Sequence, residues 1–246
     1  MRPDTPYNFC LDNLTKVLLY GDIVTLAQIP WGSNDSFLIE LSSGTDKHIA
    51  VYKPRSGERP LYDFKSGTLY KREYSSYVIS SVLSWDLIPC TVIRDGPYGV
   101  GTVQQFVDFD LDSSYFTLRE DRIGDIERIA LFDCVSNNAD RKAGHCLKDL
   151  HGKVWSIDHG LTFNEEPKLR TVIWDFVDKV IPTAQIDQMT DLRRHLDSDD
   201  GFVGRLTYLL DPGEIAALKR RLDVLIEERR FPGRDLYRRD VPWPVY

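Results

Sequence analysis

The fold of this chain is decided by residues 137–163, which read Asn-Asn-Ala-Asp-Arg-Lys-Ala-Gly-His-Cys-Leu, a short polar connector, and then Trp-Ser-Ile-Asp-His-Gly-Leu-Thr-Phe. Asp140 follows an apolar periodic segment and opens a polar loop, whereas Asp158 ends a strand-like run and is followed closely by Gly160. In-line phosphoryl transfer uses one carboxylate near the attacking hydroxyl and another on the metal that bridges the nucleotide phosphates. A loop and a strand end facing each other across a short hairpin can supply that pair, so the stretch indicates phosphate chemistry.

These two loops carry a resemblance to a known family. The run Asn138-Ala139-Asp140-Arg141, with His145 five positions after Asp140, and the run Ile157-Asp158-His159-Gly160 resemble the catalytic and metal-binding loops of the phosphatidylinositol 3-/4-kinase-like branch of the kinase superfamily. The Asn-x-Asp pattern is shared with HipA-type kinases, and the chain is similar to a group of uncharacterised bacterial kinase-like proteins. The resemblance covers roughly residues 15–185.

The resemblance implies a two-lobed α+β fold of the protein-kinase type. Residues 1–107 would form an N-lobe, a small antiparallel sheet with one helix that covers the nucleotide. Residues 108–246 would form a mainly helical C-lobe that carries the catalytic and metal loops and ends in a proline-aromatic tail.

The resemblance also implies roles for three residues of the loops. Asp140 would position the proton of the acceptor hydroxyl, and Arg141 would pair with a carboxylate or balance charge nearby. Asp158 would bind the divalent metal. The alternative for Asp140 is an ordinary loop turn of the kind that Asn and Asp form.

His145 departs from the pattern, because most kinase relatives have an asparagine there whose side-chain oxygen helps to bind the second magnesium. An imidazole offers nitrogen, and magnesium prefers oxygen. Either His145 still ligates a nitrogen-tolerant ion such as manganese, or it is structural and Asp158 holds the main metal with the phosphates. The expected cofactors are therefore ATP and Mg²⁺ or Mn²⁺.

Lys53 ends an apolar strand predicted over residues 48–53, from which its ammonium can reach the α- and β-phosphates of ATP. The helix predicted over residues 67–83 carries Glu73 at the edge of its buried stripe, where an unpaired carboxylate would be costly. An ion pair between Lys53 and Glu73 would solve that problem. The alternatives are a solvated Lys53 and a Glu73 that pairs locally or points to water.

Two further strands, over residues 23–29 and 36–41, flank a candidate phosphate-covering turn. Gly32 lets the backbone approach a ligand there, and the amides of Ser33 and Asn34 can face an anion. A plain hairpin loop is the alternative.

Residues 91–94 and 101–107 are predicted to form another strand pair, of which the second strand ends at the hinge between the lobes. In kinases backbone groups hold the adenine ring at this point, which makes Gln105, Phe106 and Val107 candidate nucleotide contacts by position.

The remaining predicted elements are helices of the C-lobe. They span residues 122–136, 182–196, 204–210 and 211–230, and the tail after them is expected to pack as an irregular strap.

Composition bounds the function. A hydrophobic fraction of 42% and a charged fraction of 28% are ordinary for a globular protein, and a net charge of −7 argues against nucleic-acid binding. No segment has the roughly 18 consecutive apolar residues of a membrane span, and no signal peptide is evident, so we expect a cytoplasmic protein without stable membrane insertion. The four cysteines lack C-x-x-C spacing, which favours free thiols.

The predicted function is transfer of the γ-phosphoryl group of ATP to a hydroxyl of a protein or small soluble acceptor. The main alternative is a nucleotide-binding pseudokinase that acts as a sensor or scaffold, which His145 favours. A lipid kinase of the phosphoinositide type and an AMP transferase are further alternatives.

Overall fold

A computed structural model describes residues 12–30, 32–198, 200–235, 237 and 239–246 of the chain. The strands are β1 (Asp22–Ile29), β2 (Ser36–Ser43), β3 (Asp46–Pro54), β4 (Thr91–Gly96), β5 (Gly99–Gln105), β6 (Cys146–Lys148) and β7 (Val154–Ser156). The helices are α1 (Asn13–Tyr20), α2 (Leu69–Val82), α3 (Tyr115–Asp121), α4 (Ile123–Ser136), α5 (Thr183–Ser198), α6 (Asp200–Leu206) and α7 (Pro212–Glu228). Cys10 and Trp31 lie outside the described residues.

The N-lobe is a five-stranded antiparallel sheet in the order β1-β2-β3-β5-β4. Alternate side chains of β2 are buried, as expected for a sheet with one face on the core, and that face packs against Val17 and Leu18 of α1. A glycine is required at position 101, where β5 pairs with β3, because a Cβ on Gly101 would collide with the backbone of Lys53 and Pro54. A glycine thus lets the two strands approach at the point where Lys53 is held.

Helix α2 is buried on most of its surface and joins the two lobes. Tyr74, Val78 and Ile79 belong to the same hydrophobic cluster as the C-lobe helices, while the sheet has a separate core. Helix α2 therefore shares its apolar core with the C-lobe, although Glu73 on the same helix contacts Lys53 of the sheet.

The C-lobe surrounds α4, whose residues Ile126, Ile129 and Phe132 are fully buried. Helix α4 ends at Asn137, which has left-handed backbone angles and turns the chain into the loop that contains Asp140. The hairpin β6-β7 follows and leads directly to Asp158. No helix among the described residues is long and apolar enough to cross a membrane.

The predicted two-lobed α+β architecture and the predicted strands of the sheet are confirmed, except that the strand expected over residues 101–107 is β5, which ends at Gln105. The helix expected over residues 204–210 is instead α6, which ends at Leu206 and is followed by turns. A proline disfavours helical backbone angles at the residue that precedes it. Asp211 is accordingly extended, and the chain cannot continue as one helix from α6 into α7. The sequence does not predict helices α1 and α3, because each is short and its N-cap is its main sequence signal. Asp12 caps α1 by accepting a hydrogen bond from Thr15 N, and Ser114 caps α3 through a capping box with Thr117.

Candidate active site

Lys53 lies near the end of β3, paired across the sheet with Thr102 of β5. Its Nζ atom is 2.6 Å from Glu73 Oε1 and 3.3 Å from Asp158 Oδ1. The predicted ion pair between Lys53 and Glu73 is confirmed, and the alternative of a locally paired Glu73 is wrong. One ammonium therefore joins the sheet, helix α2 and the loop after β7.

The charges of these three residues shift one another's pKa values. Burial lowers the pKa of Lys53, but attraction to Asp158 and Glu73 outweighs that effect and leaves the pKa above its usual value. The Lys53 ammonium, in turn, holds the pKa of Asp158 well below the usual range of a carboxyl. Burial raises the pKa of Glu73, and Lys53 opposes that shift. Asp158 is therefore a carboxylate at every pH at which the protein is expected to work.

Asp158 follows β7 with left-handed backbone angles, a conformation that aspartate tolerates better than most residues. Its side chain is 49% exposed, whereas that of Glu73 is 3% exposed. Glu73 is therefore committed to Lys53, while Asp158 keeps oxygen atoms available to a ligand.

His145 faces the same carboxylate, with its Nε2 atom 3.4 Å from Asp158 Oδ2. Burial lowers the pKa of His145 to about 4, so the ring is neutral near pH 7. Its Nδ1 accepts from the Lys142 amide at 3.4 Å, which assigns the ring proton to Nε2. In this tautomer His145 donates toward Asp158, as a supporting residue would, and ligation of a metal would require the proton to leave Nε2.

Asp140 lies in the loop after α4, and Asn138 Oδ1 accepts a hydrogen bond from its amide. The Nζ atom of Lys142 is 3.2 Å from Asp140 Oδ2. Burial raises the pKa of Asp140; Lys142 opposes the shift, and the nearby charge of Asp158 adds to it. The two aspartates are thus close enough to interact electrostatically, as a shared site requires.

Lys142 is the residue that the sequence analysis missed. A lysine two positions after Asp140 was the available signal, but a polar loop gave no reason to distinguish it from a solvated lysine. Its contact with Asp140 places a positive charge beside the candidate catalytic carboxylate.

Arg141 lies beneath the loops and does not face the cleft. Its side chain is fully buried, contacts both carboxylate oxygens of Asp133, and lies 2.8 Å from His159 Nε2. It also donates to the carbonyl oxygen of Ile157, next to Asp158. The expected pairing with a carboxylate is confirmed; a catalytic role stays a prediction, and these contacts assign Arg141 to positioning.

The candidate phosphate-covering residues Gly32, Ser33 and Asn34 lie in the turn between β1 and β2. Asn34 Oδ1 accepts from the Arg59 amide at 2.9 Å, and the next residue, Asp35, donates from its amide to the Gly57 carbonyl at 3.0 Å. The turn therefore packs against the segment that follows Lys53 in the chain. A role in phosphate binding stays a prediction.

Gln105, Phe106 and Val107 lie at the end of β5, where the chain leaves the sheet for the C-lobe. The amide of Gln105 donates to the Cys90 carbonyl at 2.8 Å, and that of Phe106 donates to the Ile49 carbonyl at 3.1 Å. Those two amides are therefore already used within the sheet. Backbone contacts to an adenine ring would be left to the carbonyls or to the amide of Val107.

Within the described ranges, no group of three or more His, Cys, Asp or Glu side chains is arranged to hold a metal ion. Magnesium in nucleotide sites is commonly held by one or two carboxylates together with substrate phosphates. The half-exposed carboxylate of Asp158 fits that need, whereas the protonated Nε2 of His145 does not.

Comparisons with known proteins agree with this architecture. No family model matches the chain. Protein Rv2133c of Mycobacterium tuberculosis is 35% identical over 272 aligned positions, which cover 96% of each chain. The crystal structure of CtkA, described as a proinflammatory kinase of Helicobacter pylori, matches with a TM-score of 0.50 and 11% identity and covers 87% of this chain and 94% of that one. At that identity the structural match shows the kinase-like fold alone.

Proposed function

Because the chain belongs to the family of protein Rv2133c of Mycobacterium tuberculosis and has a kinase-like fold, we propose that it is an ATP-dependent phosphotransferase. The observation that carries the proposal is the contact of one lysine ammonium, Lys53 Nζ, with Glu73 at 2.6 Å and Asp158 at 3.3 Å. This arrangement links the sheet to the loop after β7 through a single charge. The resemblance of the two loops to those of the phosphatidylinositol 3-/4-kinase-like branch supports the proposal.

Lys53 binds the α- and β-phosphates in this proposal. Glu73 keeps the ammonium oriented when phosphate oxygens replace Asp158 as its partner. The exposed oxygens of Asp158 hold Mg²⁺ or Mn²⁺, which neutralises charge on the phosphates when it is bound. The turn containing Gly32, Ser33 and Asn34 covers the phosphates from the sheet side.

Asp140 accepts or orients the proton of the acceptor hydroxyl. A raised pKa makes this carboxylate a better proton acceptor than an ordinary aspartate, which suits the role. Lys142, 3.2 Å from Asp140, stabilises negative charge on the transferred phosphoryl group. The acceptor in this proposal is a hydroxyl of a protein or of a small soluble molecule.

The test is ATP turnover by the purified chain with Mg²⁺ and then Mn²⁺, beside Asp140→Ala and Asp158→Ala. Turnover that both substitutions abolish supports the proposal, provided that circular dichroism shows both variants folded. Absence of ATP binding in a folded wild-type protein would overturn it.

A nucleotide-binding pseudokinase is the second candidate, and the observation that favours it is His145. Its Nε2–H faces Asp158 at 3.4 Å and supplies no oxygen for a second metal ion. This candidate predicts ATP binding without turnover in either metal, even with cell extract as the source of acceptor. Mass spectrometry of any labelled product separates phosphate transfer from AMP transfer.

A further inference from the structure

A cavity lies beside the start of α2, at the junction of the two lobes. Its volume is about 210 Å³. Arg55, the loop of residues 65–68 and the first turns of α2 form one wall, and residues 207–211 with the start of α7 form the other. None of the candidate active-site residues described above lines it.

The lining of this cavity carries four cationic side chains and two carboxylates. Both carboxylates are already paired: Glu214 accepts from the buried guanidinium of Arg72, and Asp211 lies 3.2 Å from Lys65 Nζ. Lys71 Nζ donates to the backbone carbonyl of Tyr208 at 2.9 Å and has no ion-pair partner in the described part of the chain. Arg55 has no ion-pair partner among the described residues.

Two positive charges thus remain without a counter-charge in a concave site of a protein whose net charge is −7. A concave surface that carries an excess of one sign of charge concentrates its electrostatic field and attracts the opposite charge. The neighbouring Glu58 does not line the cavity; its carboxylate accepts from the amides of Leu69 and Tyr70 at the start of α2.

We propose that this cavity binds a phosphate-bearing ligand, with Arg55 and Lys71 as the principal contacts. Guanidinium and ammonium groups are the usual partners of phosphate oxygens. The ligand is either a small phosphate-containing molecule or a phosphorylated residue of a protein chain. The proposal goes beyond the phosphotransfer reaction and does not rest on it.

Binding would connect the two lobes, because Arg55 and Lys71 lie on the N-lobe side and the turn of residues 207–211 on the other. Arg72, beside Lys71, already links α2 to the C-lobe through Glu214 and through the Thr162 carbonyl, at 2.7 Å from Nη1. The next residue, Glu73, holds Lys53. A ligand in the cavity would therefore stabilise the position of α2 that the candidate active site uses.

The experiment is a titration of the full chain with inorganic phosphate at constant ionic strength, followed by calorimetry and by the thermal midpoint. Wild type is expected to bind and to gain thermal stability. The double substitution Arg55→Ala with Lys71→Ala is expected to weaken binding by about tenfold or more, because each removed cation costs a charge-assisted contact. The matched control is Arg59→Ala, which removes an exposed cation that lies four residues after Arg55 and outside the cavity lining. This variant should bind phosphate as wild type does.

Lys53→Ala separates this cavity from the nucleotide site, since phosphate bound at the active site would depend on Lys53. The proposal is overturned if phosphate binding is lost in Lys53→Ala and retained in the double variant, or if wild type does not bind phosphate. Failure of ATP turnover has no bearing on these results, so the two proposals fail separately.

A phosphoserine-containing peptide, compared with its unphosphorylated form, identifies the source of the phosphate. Binding of the phosphopeptide more tightly than inorganic phosphate, and its loss in the double variant, would assign a phosphorylated protein segment. If the phosphopeptide binds no more tightly than inorganic phosphate does, the ligand of the cavity is a small phosphate-containing molecule.

Discussion

Two clusters of interacting polar and charged residues include members of the loops that contain Asp140 and Asp158. The cleft cluster comprises Lys53, Glu73, Asp158 and His145, and the buried cluster comprises Asp133, Asn138, Arg141 and His159. Both contain a cation, a carboxylate and a neutral histidine. They differ in how completely the structure satisfies them.

The two charged residues of the buried cluster, Asp133 and Arg141, are saturated with partners, whereas His159 Nδ1 has none among the described residues. Asp133 accepts from Arg141 Nε at 3.1 Å and Nη2 at 2.9 Å and from Asn138 Nδ2 at 2.9 Å, and both Asp133 and Arg141 are fully buried. The cleft cluster leaves Asp158 49% exposed, held by one ammonium at 3.3 Å. Similar chemistry thus serves as a scaffold where the carboxylate and the guanidinium are both buried and fully paired, and as a candidate ligand site where one carboxylate stays half exposed.

The largest expected effect is a loss of ATP turnover when a residue of the cleft cluster is substituted. Asp158→Asn should lower ATP turnover at least about a thousandfold, or roughly 4 kcal/mol of activation free energy, because the amide cannot replace a carboxylate on the metal. The free energy of unfolding should change by less than about 1 kcal/mol, since Asp158 is half exposed and Glu73 still pairs with Lys53. Turnover assays and urea unfolding measure the two quantities. Asp191→Ala, an exposed carboxylate on α5, is the control, and a loss of stability without a loss of turnover would reverse the assignment.

The next effect concerns stability and comes from the buried cluster. Asp133→Ala should lower the free energy of unfolding by about 3 kcal/mol, because it leaves the Arg141 guanidinium buried and unpaired. Urea unfolding of Asp133→Ala, Arg141→Met and the double variant forms a double-mutant cycle. We expect strong coupling, with the double variant less destabilised than the sum of the two single variants. Additive losses would show that the two residues do not form a unit.

The histidines of the two clusters predict the pH dependence of stability. Burial lowers the pKa of His145 to about 4 and lowers the pKa of His159 well below its usual range, whereas both are near 6.5 in the unfolded chain. Between these values the unfolded state binds more protons, so stability is complete above pH 6.5 and falls as the pH decreases toward 4. His145 alone should contribute a loss of about 2 kcal/mol between pH 7 and pH 5.

Thermal or urea unfolding across this range checks the prediction, with His145→Asn as the comparison. The variant should lose stability less steeply with acid than wild type does. Identical slopes for the two proteins would mean that His145 titrates normally in the folded state.

The sequence was sufficient to predict the pair of Lys53 and Glu73 because both residues carry a local signal, whereas the resemblance to kinase loops indicated Asp158 and His145. Lys53 ends an apolar strand, and Glu73 lies on the buried edge of a helix. In each case the environment was readable from neighbouring residues, so an ion pair between two distant elements followed from the cost of burying each charge alone.

The buried contacts could not be predicted in the same way. Asp133 and Arg141 are eight residues apart, and their pairing depends on the left-handed turn at Asn137 that ends α4. Arg72 and Glu214 are 142 residues apart and meet only when the lobes are assembled. The tautomer of His145, likewise, depends on the amide of Lys142 in the folded loop. These features are set by tertiary geometry, which no local pattern encodes.

The smallest expected effect is a change in metal preference. It tests how His145 supports the cleft cluster. His145→Asn replaces an Nε2–H that faces Asp158 at 3.4 Å with an amide whose oxygen can ligate magnesium. We expect the ratio of ATP turnover in Mg²⁺ to turnover in Mn²⁺ to rise by about tenfold, the size of change that substitution of a residue supporting a metal ligand commonly causes. His151→Asn, on the exposed turn between β6 and β7, is the matched control. If the ratio is unchanged while Asp158→Asn abolishes turnover, His145 acts only through the orientation of Asp158, and the cleft holds its metal without help from this position.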